Sequence, residues 1–376
     1  MSTMSTENHL YADHYRSPVP RLKTYDLLAA LYLSEPDAAL VERLRELPGF
    51  DAVVPAQASE AEMGAWLEEQ AAEYYRLFSM NAYPYGSIYL DRDLMLNTAS
   101  SESAAEFYRE CGFDCMQYNT GAPDHLGVEL TLMRELIAAE RQAARSGDRA
   151  KARWALERQS LLLDEHLARW APVYARDAAR VTTSPLYRLA ASLTVELILS
   201  DLSWLGEAHR AEDEKVPHVA ADLEAGREQD EEGINRIVRR LICPCDVGLL
   251  ITREDMDALA RELDLPVPVG DRFGMMRSLL TAAGQFDSLP GVLERLEGLM
   301  EQAKAELAEI IAAYPAYAPY ARPWWSRAEA GIALVADMRA QAGNLLPALA
   351  AEMLTDTEAN WTPGAAPPGS GPTTWT

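Results

Sequence analysis

His125 and Glu129 stand four residues apart, so on a helix an imidazole and a carboxylate would share one face and could ligate a transition metal. Two ligands do not make a site. Asp124 at a helix start is equally explained as an N-cap accepting a backbone N–H, with His125 solvated in the first turn. Cys111, Cys115, Cys243 and Cys245 could together hold zinc or an iron–sulfur cluster. Neither Cys111-Gly-Phe-Asp-Cys115 nor Cys243-Pro-Cys245 has the C-x-x-C spacing of a metal knuckle, and each cysteine is as readily a small buried hydrophobe. There is no phosphate-binding loop, no Gly-rich dinucleotide fingerprint, no nucleophile elbow, and no clustering of the six histidines. The pattern points to binding rather than catalysis, with no catalytic residue, no metal and no cofactor assigned and no enzyme expected. A metal- or iron–sulfur-binding protein using the four cysteines is the alternative.

Aromatic residues are the other group able to contact a ligand. Tyr74, Tyr75 and Phe78 close one helix, Tyr83, Tyr85 and Tyr89 follow in the next loop, and Tyr108, Phe113 and Tyr118 precede Asp124. They could line a groove for an apolar peptide, with polar tips at its rim, or they could be core.

The elements that must position these groups are helices. Leu27, Leu28, Leu31 and Tyr32 form one apolar stripe on a helix from Lys23 to Leu33. Ser59 with Glu62 has the form of a capping box opening a helix through Trp66 and Tyr74 to Phe78, broken by Pro84 and Gly86. Ser101 to Cys111 is helical and ends at Gly112. Asp124 is placed to cap the next helix, which carries Leu126, Leu130, Met133 and Leu136 inward. Arg149–Trp170 and Ser184–Leu205 complete a bundle, with Pro172 and Pro185 marking the break between them. Beyond a charged stretch, Ile234–Leu241, Thr252–Leu263, Asp271–Ala283, Leu289–Tyr314 and Ser326–Leu354 read as further helices. No stretch alternates as a half-buried strand does, so the fold class is all-α. The expected organisation is a polar segment 1–21, a helical domain 22–206, a charged linker 207–232, a helical extension 233–355 of unassigned role, and a Pro/Gly-rich disordered tail 356–376.

The chain of 376 residues carries 58 acidic against 34 basic side chains, a net charge of −24, which repels phosphate backbones and argues against nucleic acid as a partner. A basic peptide would be drawn in. With 48% hydrophobic and 24% charged residues the composition is that of a globular protein. No signal-peptide run or spanning segment is evident, so no membrane insertion is expected. A cytoplasmic location follows, and four thiols suit its reducing conditions.

Four motifs occur in one order: Tyr74-Tyr-Arg-Leu77-Phe78, then Pro84-Tyr85-Gly-Ser-Ile-Tyr-Leu-Asp91, then Pro123-Asp124-His125 with Glu129-Leu130, then His166-Leu-Ala-Arg-Trp170-Ala-Pro172. In that order and spacing they resemble the TorD/DmsD/NarJ family of redox-enzyme maturation chaperones over residues 22–205. The resemblance implies a helical bundle that binds the leader peptide of a molybdenum or tungsten oxidoreductase subunit and holds it until cofactor insertion and export or membrane docking. It implies no turnover, and a homodimer is compatible with it. Carried over by position, Tyr74, Leu77, Phe78, Pro84 and Tyr85 would contact the leader, and Asp124 and His125 would sit in the connection between two parts of the bundle. A carboxylate there would suit a twin-arginine peptide, in competition with the capping role of Asp124. Some members have Trp where this chain has Tyr74 and Tyr85, and some place a proline where it has Ala122.

Overall fold

The structure is a computed structural model describing residues 18–210 and 233–341. The expected segment before Pro18, the linker from 211 to 232 and the tail lie outside those residues, as does the last part of the helix expected to reach Leu354. The described chain is helical throughout and, among the described residues, forms no strand.

In order, the helices are α1 (Pro18–Leu33), α2 (Ala38–Leu44), α3 (Phe50–Val53), α4 (Glu60–Tyr74), α5 (Gly86–Leu90), α6 (Ala99–Glu110), α7 (Leu126–Ser146), α8 (Arg149–Leu162), α9 (Ala168–Val181) and α10 (Pro185–Arg210). The extension adds α11 (Ile234–Ile242), α12 (Pro244–Val247), α13 (Arg253–Glu262), α14 (Arg272–Gln285), α15 (Leu289–Ala313) and α16 (Ala318–Ala340).

Local chemistry sets most of these boundaries. The capping box is complete: the Ser59 hydroxyl accepts from Glu62 N, and the Glu62 carboxylate accepts from Ser59 N at 2.8 Å. Thr252 and Asp255 repeat the device at α13. Gly147, at φ 76°, ends α7 in the left-handed conformation that glycine adopts without penalty, and Asp148 then caps α8 by accepting from Lys151 N at 3.0 Å.

Three expectations need correction. α1 starts at Pro18, ahead of Lys23, because a proline in the first turn needs no hydrogen-bonded N–H. The helix from Ser59 does not end at Phe78 but widens into a π-helical turn over Tyr75–Asn81. There the Asn81 side chain donates to Arg76 O at 2.9 Å and Ala82 N donates to Leu77 O at 2.6 Å, so carbonyls freed by the wider turn are satisfied. Pro172 does not break its helix either. It lies inside α9, just after the π-helical turn Leu163–Leu167, where the backbone ladder is already interrupted and a missing N–H costs least.

α1 packs along α7, α7 along α8, and α9 along α10. The α1–α7 contact is close because Gly127 carries no side chain: a Cβ there would lie 2.7 Å from Leu33 Cγ and 3.1 Å from Ala29 O. In α10, Pro185–Gly206 is long and apolar enough to cross a membrane by composition, yet half of it is buried within the protein. Its Asp201 accepts from Arg21 Nε at 2.6 Å and Tyr25 Oη at 2.8 Å, an internal ion pair that belongs to a core helix.

The extension has an apolar core of its own around Val238, Met276, Leu293, Leu296 and Val335. It is also joined to the bundle. Leu250, Leu307, Tyr317, Tyr320, Ala321 and Trp324 belong to the same cluster as the bundle's Tyr89, Trp170 and Tyr174. Polar contacts reinforce the seam: buried Asp177 accepts from Leu250 N at 2.8 Å and Arg176 Nη2 at 2.9 Å, and Arg180 donates to Leu250 O at 2.9 Å and pairs with Asp255.

Candidate functional site

The motifs Pro84–Asp91 and Pro123–Glu129 lie about 40 residues apart in the chain and meet in space. Tyr85 and His125 form an isolated antiparallel bridge, with Gly86 N donating to Asp124 O at 3.0 Å and Leu126 N donating to Pro84 O at 2.8 Å. Their rings meet edge to face at 4.9 Å, and the Tyr85 hydroxyl donates to Thr120 O at 2.5 Å. The Tyr108 hydroxyl holds the carbonyl of Pro123 at 2.9 Å. A Cβ at Gly86 would stand 3.2 Å from the Trp170 indole nitrogen, a tight approach that brings the fourth motif against the second.

Asp124 does not cap α7. Its carboxylate accepts from Ser87 N at 2.5 Å and Ser101 Oγ at 2.6 Å, tying the starts of α5 and α6 to the turn. The N-cap is His125, whose Nδ1 accepts from Gly127 N at 3.1 Å. Nor is His125 solvated in a first turn: it is buried, and burial lowers its pKa to about 3, so the ring is neutral. Glu129 is fully buried, and burial first, then the nearby Asp124 carboxylate, push its carboxyl well above the ordinary range, while hydrogen bonding with the Trp170 side chain opposes them. Its Oε2 has no partner. A protonated Glu129 follows, since an ionised one would be a second buried charge beside Asp124.

Of the residues expected to contact a ligand, Leu77, Phe78, Pro84, Asp124 and His125 are buried, and Tyr74 and Tyr85 are half-buried. The buried ones position the others. Phe78 packs at 5.0 Å from the Tyr74 ring and 5.5 Å from Tyr32, anchoring the π-helical turn. The hydroxyl of Tyr74 donates to Tyr32 O at 3.0 Å. Burial, and then neighbouring Tyr85, Tyr75 and Glu35, raise the pKa of Tyr74 to about 12, which locates those four groups together.

Two exposed side chains complete this face. Tyr75, 56% exposed, meets Tyr74 edge to face at 5.5 Å, and Met80, 48% exposed, sits one turn on, where the Tyr83 hydroxyl donates to its carbonyl. Sequence reasoning counted Tyr75 among the aromatics without separating it from the core. Met80 it missed because its exposure depends on the π-helical turn, for which the residue pattern gives no signal, and Glu35 because its place beside Tyr74 is a contact across the chain. The result is a rim of tyrosine hydroxyls and a thioether over a rigid apolar base, beside the exposed carboxylate of Glu35.

The four thiols do not assemble. Among the described residues no three His, Cys, Asp or Glu side chains are grouped to hold a metal ion. Cys243 and Cys245 are buried in the extension, where the Cys245 thiol donates to Tyr89 O at 3.2 Å, and Cys111 and Cys115 are half-buried with burial raising both.

Comparison with known proteins places this geometry. Residues 35–176 match the family model described as nitrate reductase delta subunit. The chain is 30% identical over 143 residues to the chaperone protein TorD of Vibrio cholerae serotype O1, covering 37% of this chain and 63% of that protein. It is 28% identical over 141 residues to TorD of Vibrio vulnificus, and 25% identical over 213 residues to TorD of Shewanella piezotolerans, there covering 49% of this chain and 92% of the relative. The match thus spans less than two thirds of the Vibrio proteins, whereas the Shewanella alignment takes in nearly the whole relative with about half of this chain. All three relatives are named chaperones. The ordered motifs fold into one helical bundle and the family model lies across them, so over residues 35–176 the chain is similar to the TorD/NarJ family.

Proposed function

We propose that this protein is a cytoplasmic, non-catalytic chaperone of redox-enzyme maturation that binds the leader peptide of a molybdenum or tungsten oxidoreductase subunit. It holds that peptide until cofactor insertion and export or membrane docking. The observation that carries the reading is the rim of Tyr74, Tyr75, Met80 and Tyr85 over buried Leu77 and Phe78. Aromatic side chains and a thioether on a rigid base give contact area to an apolar peptide at low entropic cost. In this reading Tyr74 and Tyr85 touch the leader, and Leu77, Phe78, Pro84, Asp124 and His125 hold them in place. Asp124 is already engaged by Ser87 and Ser101, so the leader's arginines meet Glu35, whose exposed carboxylate lies beside Tyr74.

Titration of the purified protein with the twin-arginine leader of its natural client, followed by fluorescence anisotropy, tests this. Saturable binding weakened by Tyr75→Ala is the expected result. No binding at ~100 μM peptide overturns the proposal.

A further inference from the structure

A cavity of about 550 Å³ opens where the extension meets the end of α5, away from the tyrosine rim. Its walls come from three places: Leu90 and Arg92 at the end of α5, Arg240 with Cys245 and Asp246 from α11 and α12, and one face of the first half of α16, from Pro319 to Ala330. Four arginines, Arg92, Arg240, Arg322 and Arg327, line it against one carboxylate. That excess of positive charge stands out in a chain whose net charge is −24.

One carboxylate, Asp246, is not enough to balance four arginines. It lies 3.4 Å from Arg92 and within electrostatic reach of Arg240 and Arg327. Arg327 stacks on the Trp324 ring at 4.5 Å, which fixes its guanidinium in the wall. The side chains of Arg240 and Arg322 make no ion pair or hydrogen bond among the described residues, leaving both sets of N–H donors available. Ser326 adds a hydroxyl, and Pro319 and Pro323 stiffen the wall between the arginines. Arginines that outnumber the carboxylate beside them attract anions, and a polyanion can be contacted by several planar N–H forks at once. A cavity of this volume takes a small molecule and excludes a folded partner.

We propose that this cavity is a binding site for a small phosphorylated ligand, its phosphate or pyrophosphate group held by Arg240 and Arg322 with Arg92 and Arg327 in support. The site is independent of leader binding, and the outcome for one leaves the other untouched.

Isothermal titration of the full-length protein with sodium pyrophosphate at low salt tests it. Saturable binding with a Kd below ~1 mM is expected, at one site per chain and weakening as salt is added. Arg240→Ala with Arg322→Ala should weaken it at least ten-fold. Neither side chain makes a hydrogen bond or ion pair among the described residues, so the double variant should keep the wild-type circular dichroism spectrum. Arg295→Ala, at an exposed pair with Glu262 in the extension, should leave binding unchanged. Absence of saturation, equal weakening by Arg295→Ala, or full binding by a folded double variant would each overturn the assignment. Single Arg240→Gln and Arg322→Gln variants read the same loss should the double variant fail to fold.

Discussion

Replacing Glu129 by Gln isolates the consequence of burying a second carboxyl beside Asp124. Burial and Asp124 raise Glu129 well above the ordinary range, so the folded chain keeps a proton there that the unfolded chain releases near pH 4.3, the usual value for glutamate at about that pH. The folded state then binds more protons than the unfolded one. Stability from this group is complete below the unfolded pKa and declines as pH rises toward the folded pKa, at up to about 1.4 kcal/mol per pH unit. The Gln variant keeps the shape and an acceptor for the Trp170 side chain, and has no proton to lose. Urea unfolding of both proteins at several values between about pH 5 and pH 8 should therefore show the variant gaining on the wild type as pH rises. With a denaturant slope near 3 kcal/mol/M, the full effect is a relative midpoint shift of about 0.5 M per pH unit. Other titrating groups, such as Glu196, which burial raises to about 7, are common to both proteins and cancel in the difference. Parallel curves across the range would refute the reasoning, because an ionised Glu129 gives no such divergence.

Asp124→Ala strands the Ser87 N–H and the Ser101 hydroxyl in the core and should cost about 3 to 5 kcal/mol by chemical unfolding. Gly127→Ala drives a methyl into Leu33 and the Ala29 carbonyl, so its unfolding free energy should fall by about 1 to 3 kcal/mol, and an unchanged thermal midpoint would contradict the close α1–α7 contact. Tyr75→Ala removes an exposed ring, so stability should hold within about 0.5 kcal/mol while leader affinity drops about ten-fold by anisotropy. Asp177→Ala leaves the buried Arg176 guanidinium with only the more distant Glu306 carboxylate, 3.7 Å away, and strands Leu250 N, so it should cost about 3 kcal/mol in a denaturation series.

The helices were legible in the sequence wherever the signal is local. Ser59 with Glu62 marks a start that depends on one side chain meeting one N–H three residues on, and the stripe Leu27, Leu28, Leu31 and Tyr32 is buried as its spacing requires. What depends on contacts across the chain was not legible. A carboxylate before a helix reads as its cap, yet Asp124 is drawn to donors from α5 and α6 while the adjacent imidazole takes the capping position. A proline reads as a break, yet Pro172 follows a π-helical turn. The aromatic run around Tyr74 could be core or groove, and it divides between the two, with Phe78 inside and Tyr75 outside according to a one-residue widening of the backbone.

The charged stretch before Gly233 reads as a boundary between separable parts, yet Tyr89 spans the seam. Its ring lies 6.0 Å from Trp170 and 5.8 Å from Tyr174 in the bundle, and 6.3 Å from Trp324 in the extension, while its carbonyl accepts the Cys245 thiol. Loosening α16 therefore removes a wall of the cage around Tyr89, and loosening α9 removes the floor beneath Trp324. The two parts should therefore melt as one cooperative unit, with their innermost amides exchanging with solvent on a common timescale rather than in two tiers.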